Sequence, residues 1–393
     1  MPTQLASSDF YQLDSLLSPA DLAVRDAVRR FVDERFVPVV NQHWHAGTFP
    51  MELMPQMGKI HCFGATIKGY GCAGLSNRAY GLVLRELERG DSGLRTVASV
   101  QGALAMNAIY YFGSEEQKQH WLPEMARGLQ VGCFGLTESD FGSNPGGMRT
   151  TARPTSSGWV LEGEKMWIGN GNVADVAVVW AKTDGGGAES IRGFLVEKNT
   201  PGFRAELIDG KMSLRAAFTC RLTFEGCQLP ADAILPNSKG LKSALQCLNH
   251  ARYGIAWGAV GAAMACFEEA RDYALKRMQF DQPIGAFQLT QRKLATMLTE
   301  LTKAQLVAQR LADLKDANLA TPAQISLAKR NNVATAIEIA RTTRDLLGGV
   351  GILDRYSCFR HMCNLESVKT YEGTDDMHLL IMGQAITGIP AFA

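Results

Sequence analysis

Trp159-Val160-Leu161-Glu162-Gly163-Glu164-Lys165-Met166-Trp167 is the stretch on which the fold turns. It reads as a strand, and shorter strand-like runs follow it at Val176 to Ala181, Ile191 to Glu197 and Phe218 to Phe224, separated by Gly, Asn and Asp. Asp184-Gly185-Gly186-Gly187 is turn punctuation between two of them. A phosphate loop is the competing reading of those glycines. No helix start follows at the offset that chemistry needs.

Outside this middle region the hydrophobic period lengthens to that of helices. Ser18-Pro19-Ala20-Asp21 offers a hydroxyl cap, a proline for the first turn and an early acid, and Val24, Val28, Phe31 and Val32 then share a face. Tyr80 to Arg89 and Val97 to Phe112 predict further helices. Ser114-Glu115-Glu116-Gln117 starts another at capping-box spacing. On the C-terminal side, helices are expected over Arg252 to Arg277, over Phe287 to Leu314, from Thr321-Pro322 towards Leu347, and after Tyr371-Glu372-Gly373-Thr374. Leu289, Leu294, Met297, Leu298 and Leu301 form an apolar stripe suited to packing. The reading is α+β. A helical domain spans 1–130, a β domain 131–238 and a helical bundle 239–393.

A chain of 393 residues is long enough for two or three domains at about 150 residues each. Hydrophobic residues at 46% and charged residues at 20% exclude a disordered chain. A formal charge of +1 gives no broad electrostatic reason to bind nucleic acid or an anionic membrane. The nine cysteines are scattered without a C-x-x-C pair, which argues against structural zinc and a disulfide framework. They suit a reducing, cytoplasmic setting. Met1 to Leu13 lacks the charged and apolar regions of a signal peptide, and no run approaches the ~18 apolar residues of a membrane span. Ile389 to Ala393 matches no lipidation or retention signal.

Common catalytic signatures are missing: there is no G-x-S-x-G, H-E-x-x-H or G-x-x-x-x-G-K-[ST]. His43-Trp44-His45 has no neighbouring carboxylate or thiolate and predicts surface residues rather than a metal site. Four segments carry other chemistry. Phe134 to Asn144 brings hydroxyls and glycines close together, as a loop or as a cradle for a polar ring or phosphate. Lys165 to Asn170 sets Trp167 at a strand end beside Gly169, as core or as a flat face for a ring. Leu346-Leu347-Gly348-Gly349-Val350-Gly351 admits a close ligand or caps a helix. Tyr371 to Thr374 holds a carboxylate in a Gly-bounded turn, which is ordinarily a solvated first-turn acid.

Together and in this order, these segments resemble the acyl-CoA dehydrogenase family from Ser18 to Phe392. The resemblance implies an N-terminal helical domain, a middle β-barrel-like domain and a C-terminal four-helix bundle. Within the family, Glu88 to Arg95, Ala98 to Gln101, Cys247 to Trp257 and Thr370 to Thr374 look most like glutaryl-CoA dehydrogenases. Ile67 to Cys72 also looks like plant short-chain acyl-CoA oxidases of the same fold.

The implied activity is FAD-dependent α,β-dehydrogenation of a CoA thioester, with a dicarboxyl (glutaryl-like) CoA among the substrates. Glu372 is the implied α-proton base, with its backbone N–H as a donor to the thioester oxygen and flavin N5 as hydride acceptor. By resemblance Arg95 and Ser99 hold a distal carboxylate, with Glu88 nearby, while Ser143, Arg252 and Gly373 meet the CoA thioester. Phe134, Leu136, Thr137, Gly142, Ser143, Trp167, Ile168 and Gly169 line the FAD. Arg277, Phe280, Gln288, Leu346, Leu347, Gly348 and Gly349 reach it across a subunit interface of a homotetramer, and Thr374 touches it. Implied partners are the thioester and either an electron-transfer flavoprotein or dioxygen. No metal, nucleic acid or membrane is implied.

The sequence departs from the family pattern at named places. Gly169 replaces the usual Thr or Ser, which is expected to leave space where dioxygen could approach. That substitution motivates an alternative reading as an acyl-CoA oxidase or monooxygenase. Asn144 replaces an Asp, and Ser139 replaces a Pro, which is expected to loosen a turn. Leu94 stands where glutaryl-CoA dehydrogenases carry Tyr, and Val350 where Asn is usual.

Overall fold

The first helix begins where its signals place it. In the computed structural model, which describes residues 8–183 and 186–391, the Ser18 side chain accepts from the Asp21 N–H and Asp21 bonds back, a capping box that opens α1 (Pro19–Phe31). Such a cap is worth about 1 kcal/mol. Then follow α2 (Val37–Ala46), α3 (Met54–Lys59), a small hairpin of β1 (Lys68–Gly69) and β2 (Cys72–Ala73), and α4 (Asn77–Gly90). The segment read as one helix from Val97 to Phe112 is three pieces in line. They are α5 (Ser92–Ser99), a π-helical stretch Val100–Met106, and α6 (Asn107–Phe112). The π stretch is wholly buried. Packing on both sides offsets the poorer hydrogen-bond geometry. Ser114 and Gln117 form the expected capping box on α7 (Glu115–Ala126).

The middle region is a curled seven-stranded sheet of β3 (Gly132–Gly135), β4 (Thr151–Pro154), β5 (Gly158–Gly169), β6 (Val176–Thr183), β7 (Ile191–Glu197), β8 (Phe203–Leu207) and β9 (Thr219–Pro230). Three of these, β3, β4 and β8, are too short or irregular to show in the sequence pattern. β6 pairs in parallel with β3 and β4 and antiparallel with β7. β5 runs antiparallel to β9 with register breaks at Leu161/Gly163 and Lys165/Ile168. The second break turns one side chain out of sequence: Trp167, at φ +64°, stands 59% exposed between buried Lys165 and Ile168. Asp184 and Gly185 of the expected turn, and the terminal residues 1–7 and 392–393, lie outside the described residues.

The C-terminal region contains five long helices, where the sequence pattern showed four. α8 (Leu241–Lys276) starts well before Arg252 and runs for 36 residues. A hairpin of β10 (Met278–Gln279) and β11 (Gln282–Pro283) leads into α9 (Gln288–Asp316), then α10 (Pro322–Leu347), α11 (Cys358–Thr370) and α12 (Asp375–Thr387). The unexpected member is α11, whose mixed polar and buried residues hide its period. α8 packs against α10 on one side and α4 on the other. The α4 contact needs Gly261: a Cβ there would lie 1.9 Å from the Arg85 carbonyl oxygen. That close approach brings the C-terminal end of α4 against the middle of α8. Among the described residues, no helix is long and apolar enough to cross a membrane.

Candidate active site

The turn Tyr371-Glu372-Gly373-Thr374 joins α11 to α12. Thr374 Oγ1 accepts from the Met377 N–H at 3.2 Å, so this residue caps α12. Glu372 sits at φ +51° and Gly373 at φ +98°. Left-handed backbone at a glutamate costs of order 1–2 kcal/mol, so the surroundings must hold it. They hold it by its carbonyls. Lys329 Nζ, from α10, donates to Tyr371 O and to Gly373 O, the latter at 2.6 Å, and Arg252 Nε, from α8, donates to Glu372 O at 2.7 Å. Glu372 is therefore not the solvated acid its sequence position suggests. Its Oε2 is shut from solvent and has no hydrogen-bond partner.

Arg95 of α5 completes the enclosure. It is fully buried. Its Nε donates to Glu88 Oε2 at 2.7 Å, its Nη2 donates to the Tyr371 hydroxyl, and its guanidinium lies 5.4 Å from the Tyr371 ring centroid. Asp91, at the α4–α5 junction, is used elsewhere. Its Oδ1 caps α5 at the Gly93 N–H (2.6 Å), and its Oδ2 accepts from Arg360 Nη1 (2.7 Å) and Asn364 Nδ2 (2.8 Å). That network ties the α4–α5 junction to α11 and so fixes the turn that α11 carries.

Six buried polar atoms remain without a partner around this turn: Tyr80 Oη, Glu88 Oε1, Arg95 Nη1, Ser99 Oγ, Glu372 Oε2 and, against Gly373, His378 Nε2. Tyr80 feels Arg95, Glu372 and Ser99, which places it with them, and burial pushes its phenol up. Native interiors satisfy nearly all such atoms, so a cluster of them marks a place for a polar ligand. Burial also pushes the Glu372 carboxyl up, against the pull of Arg95, Lys329 and Arg252. Burial pushes the Lys329 ammonium down to about 7 and lowers the Arg252 guanidinium. Arg95, Arg252, Gly373 and Glu372 thus lie together, with Ser99 one helical turn from Arg95 on α5. Ser143 stands apart on an exposed loop.

The other proposed residues fall into two groups. Around β5, Trp167 offers an exposed indole, Thr137 is half-buried with its carbonyl accepting from the Met166 N–H at 2.8 Å, and Gly142 is exposed. Phe134, Leu136 and Ile168 are core side chains; Phe134 and Ile168 pair within the sheet, and Leu136 O accepts from buried Lys165. On the helical bundle, Arg277, Gln288, Gly348 and Gly349 are exposed and Phe280 is 87% exposed, while Leu346 is half-buried and Leu347 is buried. Among the described residues, this second group makes no hydrogen bond or ion pair to the Glu372 turn. A Cβ at Gly348 or Gly349 would meet nothing within 4 Å. Open backbone here and a bare flat indole there suit a large planar ligand with a polar tail.

Two expectations are corrected. Ser139 does not loosen its turn: Glu138 and Phe141 exchange N–H···O bonds of 3.4 and 3.2 Å, and Ser139 Oγ donates to Glu164 Oε1 at 2.8 Å. Gly169 does not leave open space, because a Cβ there would lie 3.0 Å from Val100 Cγ2. His45 Nε2 pairs with Asp354 Oδ2 at 3.0 Å, and no group of three metal-ligating side chains occurs among the described residues. The residues that sequence reasoning missed are Lys329 and Tyr80. A lone lysine or tyrosine in an amphipathic helix gives no signal of its own.

Comparison with known proteins places this geometry in a family. The chain matches the acyl-CoA dehydrogenase N-terminal domain over residues 18–129, the middle domain over 133–227 and the C-terminal domain over 238–387. A glutaryl-CoA dehydrogenase from Mycobacterium smegmatis, solved in complex with FADH2, is 52% identical with a TM-score of 0.97, covering 99% of this chain and 100% of that one. A glutaryl-coenzyme A dehydrogenase–glutaryl-CoA complex is 31% identical with a TM-score of 0.91, covering 95% and 96%. An acyl-CoA dehydrogenase from Bacillus subtilis is 34% identical over 368 residues, 93% of this chain and 97% of the relative. The chain belongs to the acyl-CoA dehydrogenase family and is an FAD-dependent oxidoreductase.

Proposed function

We propose that this acyl-CoA dehydrogenase oxidises a CoA thioester whose acyl chain ends in a second carboxylate, a glutaryl-like dicarboxyl-CoA. The observation that carries the reading is Arg95: a guanidinium with no exposure, satisfied by Glu88 and Tyr371 on two atoms and left with a bare Nη1, one helical turn from Ser99, whose hydroxyl faces Tyr80. A carboxylate arriving there would satisfy Nη1. Charge supports it too. With Lys329 protonated, four cations (Arg95, Arg252, Lys329, Arg330) face three carboxylates (Glu88, Glu372, Asp375), and an anionic chain end would neutralise the excess. The 52% identical relative is itself a glutaryl-CoA dehydrogenase.

Glu372 is the base for the α-proton. A carboxylate in water is far too weak for that proton, and two effects narrow the gap. Burial raises the basicity of Glu372, and donors on the thioester oxygen stabilise the developing enolate. The backbone N–H of Glu372 is one such donor. When bound, FAD supplies the hydride acceptor at N5. Trp167, Thr137, Gly142, Ser143 and Gly169, with the backbone of Phe134, Leu136 and Ile168, would hold its ring end. Arg277, Phe280, Gln288 and the Leu346–Gly349 segment would hold its polar end from a neighbouring subunit of a homotetramer, with Thr374 close by. Ser143 and Arg252 would meet the CoA portion. The nine cysteines, all free, suit the cytoplasm.

Electrons then leave to an electron-transfer flavoprotein. The oxygen-using alternative rests on the hydroxyl missing at Gly169, and Val100 weakens it by filling that side. Anaerobic mixing of the yellow enzyme with glutaryl-CoA should bleach it, and admitted air should restore colour slowly. No bleaching by any CoA ester would reject the function. Bleaching by monoacyl-CoAs alone would reject the carboxylate. Rapid re-oxidation with peroxide would favour the oxidase.

A further inference from the structure

We infer that Lys329 is a positioning residue that aims the Glu372 N–H at the thioester oxygen, by anchoring the carbonyls on either side of the catalytic glutamate. The inference rests on the reading of the Glu372 turn as the thioester site. In a trans peptide the C=O and the following N–H point in opposite directions, and the described chain has no cis peptide bond. Holding Tyr371 C=O on Lys329 therefore turns the Glu372 N–H to the opposite side of the turn. The same ammonium holds Gly373 C=O, which sets the Thr374 N–H, while Arg252 holds the intervening Glu372 C=O. Three successive carbonyls are thus gathered by two buried cations.

Nothing local would do this. Glu372 and Gly373 are both at positive φ, a conformation the glutamate does not favour by itself. Two of the three Lys329 donors go to carbonyls, and among the described residues Lys329 makes no ion pair with the Glu372 carboxylate. It sits 5.8 Å from the Tyr371 ring centroid with 1% of its surface exposed. The charged or titratable groups that bear on it are Glu372 of the turn, Arg252 of α8, Arg95 of α5, and Asp375 and His378 of α12. A lysine kept there for charge alone would be expected to pair with a carboxylate. This one is spent on backbone.

The test uses the FAD-loaded enzyme and acetoacetyl-CoA, a thioester acidic enough to bind as its enolate. In Lys329→Met, FAD binding and KM should hold, kcat for flavin reduction should fall about 100-fold, and the bound enolate should weaken by at least about tenfold. If that variant does not retain FAD, Lys329→Gln, which keeps a polar tip too short for both carbonyls, is read in the same way. An enolate signal equal to wild type in a flavin-loaded variant overturns the inference. So does full recovery of kcat on raising the pH, because that would mean the lysine acts only by charge on the Glu372 carboxyl. Failure of the underlying function looks different: wild type itself would neither bind the enolate nor bleach.

Discussion

Two lysines are buried in this molecule, and they differ in what they leave undone. Lys165, in the β domain, has no exposure; its Nζ donates to Glu138 Oε1 at 2.8 Å and Leu136 O at 3.1 Å, and Met148 Sδ lies at 3.7 Å. Glu138 is filled in turn by the Arg149 N–H, the Thr150 N–H and the Thr150 hydroxyl. Lys329, in the bundle, is as deeply buried but stands over a turn whose carboxylate, with Arg95, Ser99, Tyr80 and Glu88 nearby, has atoms to spare. Both ammonium groups are pushed down by burial, Lys165 to about 8 and Lys329 to about 7. Burial of charge is therefore not what marks the site. Unfinished hydrogen bonding is.

Substitutions can break or sharpen that contrast. The largest effect belongs to Glu372→Gln, which should keep FAD yet slow flavin reduction by about 10³-fold or more in anaerobic stopped-flow. Lys165→Met should do the reverse: it should cost about 3–5 kcal/mol in denaturant unfolding while each folded, FAD-loaded molecule turns over normally. Arg95→Gln should lower kcat/KM for glutaryl-CoA by about 100-fold and for butyryl-CoA by less than about tenfold. Equal losses would remove the distal carboxylate from the account.

The pH dependence separates the two regions again. Lys165 binds its proton less tightly folded (about 8) than at its ordinary value of 10.5, so between those values the unfolded chain carries more protons. Stability should rise with pH through that window, and Lys165→Met should flatten the rise. Glu372 titrates above its ordinary range, so flavin reduction should climb with pH along a limb displaced upward from that of a free glutamate. Gly169→Ser should have the smallest effect. Its Cβ would press on Val100 Cγ2 at 3.0 Å, a matter of about 1 kcal/mol, with air re-oxidation no faster than in wild type.

The sequence made the order of helix, sheet and helix legible because Ser18-Pro19, Ser114-Gln117 and Thr321-Pro322 are local caps, and each capping box is present. It hid α11 because Arg360, His361 and Asn364 are polar residues buried by tertiary contacts. It hid the π stretch because that geometry follows from packing around Val100 to Met106. At the site, the candidates quoted from motifs were legible: Glu372, Arg95, Arg252 and Gly373 do lie together. Lys329 and Tyr80 were not, since they reach the turn from α10 and α4 and acquire their meaning only from what they face. Sequence also misjudged Gly169, where the expected space is bounded by Val100, and Ser139, where the turn expected to be loosened by the lost proline is held by Glu164.

Proton removal can be watched apart from hydride transfer. The FAD-loaded enzyme, mixed without oxygen with a CoA thioester deuterated at its α-carbon, should wash that deuterium into water. Glu372→Gln, still yellow and still binding the thioester, should not. Equal washout from both would contradict the assignment of Glu372 as the base.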